Sequence, residues 1–530
     1  MSTATRPAPK RWNLGGVPVF QAEVPGRVRA ALEFRVGTAD EPLHMAGVTH
    51  LIEHLTLSGL GTQPYDYNGY VDQTHCAFLV SGTVDQVKEF FVHVCGALQA
   101  LPKDRVATER RVIETEAAGH HQSSFRDSMS LRYGANGFGT TDYRQIGLLW
   151  LTPEAVQDWA TRHFTSGNAT AWVAGPVIPG LKIDLPAGGR LAPPVVTPKN
   201  LRLPCLYEDR TQGAAVSMVS ARSTALWAGM AILERRAIQR LRFNEGISYG
   251  VQTAVHDLDG RMVHALASTD AMVEQVTQAA SALLDVADVL SLTGPDAAEL
   301  QFIASALEEA MSDPQAVVGE MQGMADSELL GVEPSTLDKK RVEVAALTPS
   351  AVAAALKAAL DTAIVIIPQG AKSPRPHLAP YPTVEARPLR GTGNPNAFGS
   401  GEQLIVGPSG ISVCDADRRA SNILWQEIAV GARWDDGTRM LIGRDGTEIL
   451  FRPLAWRNPD VILAAIDANA PADRVVEADV PSPSEDLPKP PRIGRRGSVF
   501  AGRAPIFMMA AGALLAAVAG AALFMISRAH

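Results

Sequence analysis

Two histidines and a glutamate stand together in a short apolar stretch, GVTHLIEHLTLSG, residues 47–59. His50 and His54 are four residues apart, and in a helix positions i and i+4 share a face. Both can then give a nitrogen to one tetrahedral zinc ion at ~2.0–2.1 Å. Glu53 sits beside that face, within reach of a water at the open position of such a site. The order is H-x-x-E-H, the inverse of the better-known zinc-protease pattern. Five residues also fit a core helix with tolerated polar positions among Leu51, Ile52, Leu55 and Leu57, so the metal reading needs a third ligand.

The segment ATERRVIETEAAGHH, from Ala107, offers candidates. Glu109 and Glu116 are seven residues apart, two helical turns, and share a face with Ile113 between them, whereas Glu114 points elsewhere. Runs of this kind otherwise serve as solvated helix faces. His120 and His121, just beyond, read as exposed loop residues.

HLIEH followed by ERRVIETE, with the lead-in EFRVGTADEPLHMAGVTHLIEH, resembles the pitrilysin, insulysin and mitochondrial processing peptidase family. The resemblance covers about residues 12–370. It implies a zinc ion (Zn2+) bound by His50, His54 and Glu116, with Glu53 as general base and Glu109 as the acid that supports the catalytic set. RLRFNEGISYGV, residues 240–251, is similar to the family's Arg/Tyr element, which implies that Arg242 and Tyr249 hold substrate. Gly246 lies in the turn between them, where a residue without Cβ is often required. The stretch between His54 and Glu116 is shorter than usual in the family, and NGYVDQTHCAF (68–78) matches the family's Asn-rich cleft strand only loosely.

The activity implied is zinc-dependent endopeptidase chemistry on a peptide or unfolded protein. Glu53 takes a proton from the attacking water and passes it to the leaving amine. The family's site closes between two two-domain halves, and this chain has one half, so the resemblance implies a homodimer with composite sites. Two other readings stand beside this one. One is a non-catalytic, membrane-tethered binding protein of the same fold, since the family contains members that lost the motif. The other is a lipid-binding adaptor that works through a C-terminal β module.

The elements that must position these residues can be read more coarsely. The chain has 530 residues, 46% hydrophobic and 20% charged, which is globular chemistry with room for several domains. A net charge of −8 argues against a nucleic-acid surface. Cys76, Cys95, Cys205 and Cys414 are far apart and form no CxxC pair, so neither a disulfide framework nor a thiolate zinc site is expected, and a reducing compartment fits. The start, MSTATRPAPKRW, has no apolar stretch of the kind a secretory signal carries. Richness in Ala, Gly and Pro suggests a bacterial source.

Pro-rich stretches at 187–200 and 368–396 read as linkers. Leu-Thr-Pro opens a helical pattern at Leu151 and again at Leu347, each followed by a β-rich run, with Thr at the N-cap and Pro at the first helical position. A duplicated α+β unit over 12–186 and 200–370 is the simplest account. Residues 398–472 alternate short strands with turns and end in one helix, NPDVILAAIDA, with Asn458 as its cap. They resemble a pleckstrin-homology-like module. A Pro-rich tether (473–503) then leads to APIFMMAAGALLAAVAGAALFMI, residues 504–526, whose 23 uncharged residues suffice for one membrane span. Basic residues are more numerous before the span than after it, which puts the catalytic part in the cytoplasm. The expected fold class is therefore α+β: two tandem peptidase-type domains, a small β-rich domain and a C-terminal transmembrane helix of a tail-anchored protein.

Overall fold

The computed structural model describes residues 7–118, 124–143, 145–195, 197–209, 213–381 and 387–478. The expected membrane span, most of the tether, and His120 and His121 lie outside the described residues. Within them, no single helix is long and apolar enough to cross a membrane.

The first half contains strands β1 (Lys10–Leu14), β2 (Val17–Ala22), β3 (Val28–Phe34), β4 (Asp66–Val71), β5 (Cys76–Gly82) and β6 (Ala169–Ala174). Its helices are α1 (Val48–Leu57), α2 (Val84–Gln99), α3 (Val106–Ala118), α4 (Ser124–Tyr133) and α5 (Pro153–His163). The second half contains β7 (Cys205–Asp209), β8 (Ala214–Ala221), β9 (Val251–Asp257), β10 (Met262–Thr269), β11 (Ile364–Pro368) and β12 (Ala379–Pro380). Its helices are α6 (Thr224–Ile238), α7 (Val276–Thr293), α8 (Ala297–Ser312), α9 (Ala316–Leu330), α10 (Leu337–Ala345) and α11 (Pro349–Leu360).

The sheet orders are β1-β2-β6-β3-β5-β4 and β12-β7-β11-β8-β10-β9. Leaving aside the first strand of each, the two orders have the same connectivity. In each sheet one internal pair is parallel (β2 with β6, β7 with β11) and the three pairs that follow are antiparallel. The Leu-Thr-Pro signals fall at matching places. Thr152 and Thr348 accept the N–H of Ala155 and Ala351, each at 3.2 Å, and start α5 and α11. One face of the first sheet buries Phe34, Phe78 and Leu32 against α1, α2 and α5, through Leu51, Phe90 and Trp159 among others.

The opposite faces are closed by exchange. Val317, Met321 and Ala325 of α9, from the second half, cover Phe20, Ala31 and Trp172 of the first sheet. Leu131 of α4, from the first half, packs on Cys205, Ala215, Ile364 and Ile366 of the second. Arg132 beside it donates to Ser217 Oγ at 3.1 Å and to the Thr362 carbonyl at 2.8 Å.

The C-terminal module has β13 (Thr392–Pro395), β14 (Gln403–Val406), β15 (Gly410–Cys414) and β16 (Ala420–Leu424) in one sheet. A second sheet has β17 (Ile428–Arg433), β18 (Arg439–Gly443), β19 (Glu448–Phe451) and β20 (Val475–Glu477) in the order β19-β18-β17-β20. With helix α12 (Pro459–Asn469) they enclose Leu404, Ile411, Trp425, Phe451 and Ile462.

Several segments depart from the sequence reading. β20 lies in the stretch expected to be tether, because Val475 and Val476 pair in parallel with Gly431 and Ala432. The Pro-rich stretch 368–396 supplies β12 and β13. The stretch 187–200 is pinned by bonds from Leu191 N–H to Asn168 Oδ1 (3.0 Å) and from Lys199 N–H to the Arg132 carbonyl (2.7 Å). Asn458 stands at the N-cap of α12 with φ 92° but caps nothing through its side chain, which donates instead to Asn394 Oδ1 at 3.3 Å.

Candidate metal centre

Helix α1 begins at Gly47, whose φ of 97° is in the left-handed region that glycine tolerates. A Cβ there would also lie 2.7 Å from Gln145 Cβ. Two of the unpaired N–H groups at the helix start, those of Gly47 and Thr49, donate to the buried Glu41 carboxylate at 2.7 and 2.8 Å. Burial pushes the Glu41 carboxyl up to about 7, against the pull of those bonds. Leu51, Ile52 and Leu55 anchor the helix in the core at 0–1% exposure, which leaves His50 and His54 on its rim.

From that rim the side chains converge. Glu116 Oε2, on α3, lies 3.8 Å from His50 Nε2 and 3.5 Å from His54 Nε2. Glu53 Oε2 lies 3.8 Å from His50 Nε2 and 3.7 Å from His54 Nε2. The ring centroids of the two histidines are 4.7 Å apart. His50, Glu53 and His54 bring one ligand atom each to within 4.8 Å of one another. α3 presents Glu116 because Ile113 is buried against the core while Glu114 is exposed.

The far nitrogens of both rings are held. His50 Nδ1 is 3.0 Å from Gln145 Oε1, and His54 Nδ1 is 3.5 Å from Glu109 Oε2. Both partners are acceptors, so in the neutral form of each ring the hydrogen belongs on Nδ1 and the Nε2 lone pair faces the glutamates. Two lone pairs and two carboxylate oxygens therefore share one small space, an arrangement that needs protons or a cation among them. A tetrahedral zinc with ~2.0–2.1 Å bonds sets its ligand atoms ~3.3 Å apart. The 3.5 and 3.8 Å separations from Glu116 are within a few tenths of an ångström of that, and the donor set fits zinc. His54 is raised above the ordinary histidine value. Burial works against its charged form, but the Glu116 hydrogen bond and the charges of Glu53, Glu116 and Glu109 outweigh it.

Glu53 is 6% exposed. Burial pushes its carboxyl up to about 7; the neighbouring His54 lowers it, and Glu116 and Glu109 raise it. A backbone feature explains how so large a side chain fits. Gly69 of β4 passes directly beneath it, and a Cβ at that position would lie 2.1 Å from Glu53 Oε1 and 2.7 Å from its Cδ. Among the described residues β4 is the end strand of its sheet, so a strand edge without a further strand paired to it runs past this carboxylate.

Glu109 stands behind the centre. It is 5% exposed, and its Oε1 accepts from Arg105 at 3.1 and 2.7 Å while Oε2 faces His54. That is the geometry of a group that orients the His54 ring. Arg242 and Tyr249 are exposed, Tyr249 to 79%, and the guanidinium lies 5.0 Å from the Tyr249 ring centroid. Neither makes a hydrogen bond or ion pair with the α1 cluster among the described residues. Sequence reading missed Gln145 and Gly69. Gln145 lies 95 residues from His50 with no local pattern, whereas Gly69 carries a faint signal as a glycine inside a strand.

No protein-family model and no curated protein sequence matches the chain. Solved structures do. A peptidase M16 inactive domain from Pseudomonas fluorescens matches with TM-score 0.56 and 15% identity, over 68% of this chain and 97% of that one. A protease from Helicobacter pylori matches with TM-score 0.56 and 12% identity, over 68% and 99%. Pitrilysin matches with TM-score 0.50 and 14% identity, over 69% of this chain but 45% of its own. At these identities the likeness is one of fold. The chain has the fold of M16 peptidase-like proteins, a class that includes an inactive domain, so the chemistry rests on the side chains.

Proposed function

We propose that this chain is a membrane-anchored zinc metalloendopeptidase. One observation carries the reading: His50 Nε2, His54 Nε2, Glu53 Oε2 and Glu116 Oε2 converge, with Gln145 and Glu109 at the far nitrogens. His50, His54 and Glu116 would hold the ion. Zinc supplies Lewis acidity, polarising a peptide carbonyl and acidifying water. The rest belongs to the chain. Glu53 accepts the proton of the attacking water and returns it to the leaving amine nitrogen. Burial excludes competing solvent from its carboxylate. An extended peptide added along the free edge of β4 would pass Glu53 with its backbone, since only Gly69 separates the strand from that carboxylate.

Arg242 and Tyr249 serve the substrate in this reading. Their exposure favours presentation to a partner's site, in a homodimer of two halves. Residues 504–526 would anchor that dimer to a membrane, with the catalytic part cytoplasmic. The tandem halves are read as repeats of one α+β unit and the C-terminal module as pleckstrin-homology-like.

Elemental analysis of the purified full chain tests the metal assignment. One zinc per chain is expected, lost in His54→Ala. Equal zinc in the two proteins, or none in wild type, removes the assignment. Zinc without cleavage across a varied peptide library would favour the non-catalytic binding protein. Mixing inactive Glu53→Gln and Arg242→Ala chains tests the dimer. Partial recovery of activity is expected, and no recovery in a mixture shown to exchange subunits would contradict it.

A further inference from the structure

The β module meets the first half at an apolar seam. Ala429 and Val430 of β17 and Ile442 of β18 are buried against Leu43, Ala46, Ala135 and Ile146. Val430 and Ile442 pair across their strands and belong to this seam, not to the module's own core of Leu404, Ile411, Trp425, Phe451 and Ile462. Polar bonds flank it. Ala135 N–H donates to the Arg444 carbonyl at 2.9 Å, and the Lys199 ammonium donates to the Asp445 carbonyl at 2.9 Å.

The seam presses on the turn that serves the metal centre. Ile146 opens the 3-10 turn Ile146–Leu149, and the residue before it, Gln145, has φ 58° and ψ 41°. This left-handed conformation is unfavourable for a residue with a Cβ, and it persists where the surroundings fix it. The turn is fixed from below as well. Gly147 lies so close to the turn Leu43–Met45 that a Cβ would be 2.6 Å from Ala46 N. The Trp150 indole N–H donates to the His44 carbonyl at 2.7 Å. From this place Gln145 Oε1 reaches His50 Nδ1 at 3.0 Å.

We propose that the β module is a working part of the metal centre. By packing Val430 and Ile442 into the apolar cluster that holds Leu43, Ala46 and Ile146, it locks Gln145 in its left-handed conformation, and Gln145 sets the ring orientation and tautomer of His50. Gln145 is thus a positioning residue, and a domain attached more than 240 residues downstream of it in the chain controls how tightly the ion is held. The proposal rests on the reading that His50 is a zinc ligand.

Zinc affinity of the full-length protein, measured by competition with a chromophoric chelator, tests it. Gln145→Ala should weaken zinc ~10–100-fold, the usual effect of removing a ligand's outer partner. Gln145→Glu keeps an acceptor oxygen and should stay close to wild type. Two changes that open the seam from opposite sides, Ile146→Ala and the double variant Val430→Glu/Ile442→Glu, should weaken zinc in the same direction, with new protease cleavage between residues 368 and 396 reporting the opening. The double variant leaves the module's core side chains untouched. Unchanged affinity in both seam variants overturns the proposal, as does a Gln145→Glu protein as weak as Gln145→Ala. Those outcomes leave the zinc assignment standing. A wild type that binds no zinc, or a His54→Ala protein that binds it equally, refutes the earlier reading instead.

Discussion

Helices α1 and α6 occupy the same place in two sheets of the same connectivity, yet they treat a carboxylate in opposite ways. In the first half Glu53 turns Oε1 toward Gly69 of the end strand β4, and its Oε2 stays with the two histidines. In the second half Glu234 meets Thr253 of the end strand β9, and one oxygen accepts both the backbone N–H at 2.8 Å and the hydroxyl at 2.7 Å. α6 has no histidine at all. One scaffold thus holds a carboxylate pressed against two imidazoles and another tied to its own strand. The carboxylate faces a glycine on one neighbouring strand and a threonine on the other. Fold alone does not bring a carboxylate against two imidazoles here; a strand without a side chain at one position helps to do so.

The largest effect expected from breaking this comparison is at Glu53. Glu53→Gln should retain zinc and lose peptide hydrolysis by ~10² or more, the usual scale for a general base. Cleavage at the wild-type rate would end the base assignment. Next in size is the strand beneath. Gly69→Ala forces the carboxylate aside and should lower the rate ~10–100-fold with zinc retained, as misplacement by about an ångström does; an unchanged rate would show that the close approach is incidental. On the other half, Glu234→Gln should leave the rate alone and lower stability by about 1 kcal/mol, the net worth of a hydrogen bond.

Glu33 provides a contrast within the first half. It is fully buried, its Oε1 accepts the Trp172 indole N–H at 2.7 Å, and its Oε2 has no hydrogen-bond partner among the described residues. Burial raises it well above the ordinary carboxyl value of 4.5, helped by Asp326 and opposed by His75. A group whose folded value is raised contributes its full stability below 4.5 and loses it as pH climbs toward the raised value. Glu33→Gln should therefore flatten the fall of Tm between pH 5 and 8 while hydrolysis and zinc stay unchanged. An identical Tm profile in the variant would show that Glu33 is not the source of that slope. The smallest effects should be equal in the two halves: Thr152→Ala and Thr348→Ala each remove a helix cap and should cost about 1 kcal/mol. A clear inequality between them, read from urea midpoints, would separate the halves energetically.

What the sequence made legible was local. His50, Glu53 and His54 follow from helical spacing, and so does the shared face of Glu109 and Glu116. The Thr-Pro signals at 152–153 and 348–349 marked helix starts correctly because capping is a matter of a few neighbouring residues. Gln145 was invisible, since its role depends on a left-handed turn brought to α1 by tertiary packing. The exchange of α4 and α9 between the sheets was equally hidden. An apolar helix face does not say which sheet it covers. β20 is not legible in the sequence because three residues in a polar stretch carry no periodicity; pairing with the edge of β17 makes them a strand.

The central claim is that a cation belongs among four convergent acceptor atoms. Anomalous diffraction from wild-type crystals, recorded on both sides of the zinc absorption edge, tests it directly. One strong zinc peak is expected, bounded by His50 Nε2, His54 Nε2 and Glu116 Oε2, with Glu53 beside it and not bound to it. A map without a peak there in zinc-supplied protein, or with the peak at the half-buried His75–Asp72 pair instead, would contradict it.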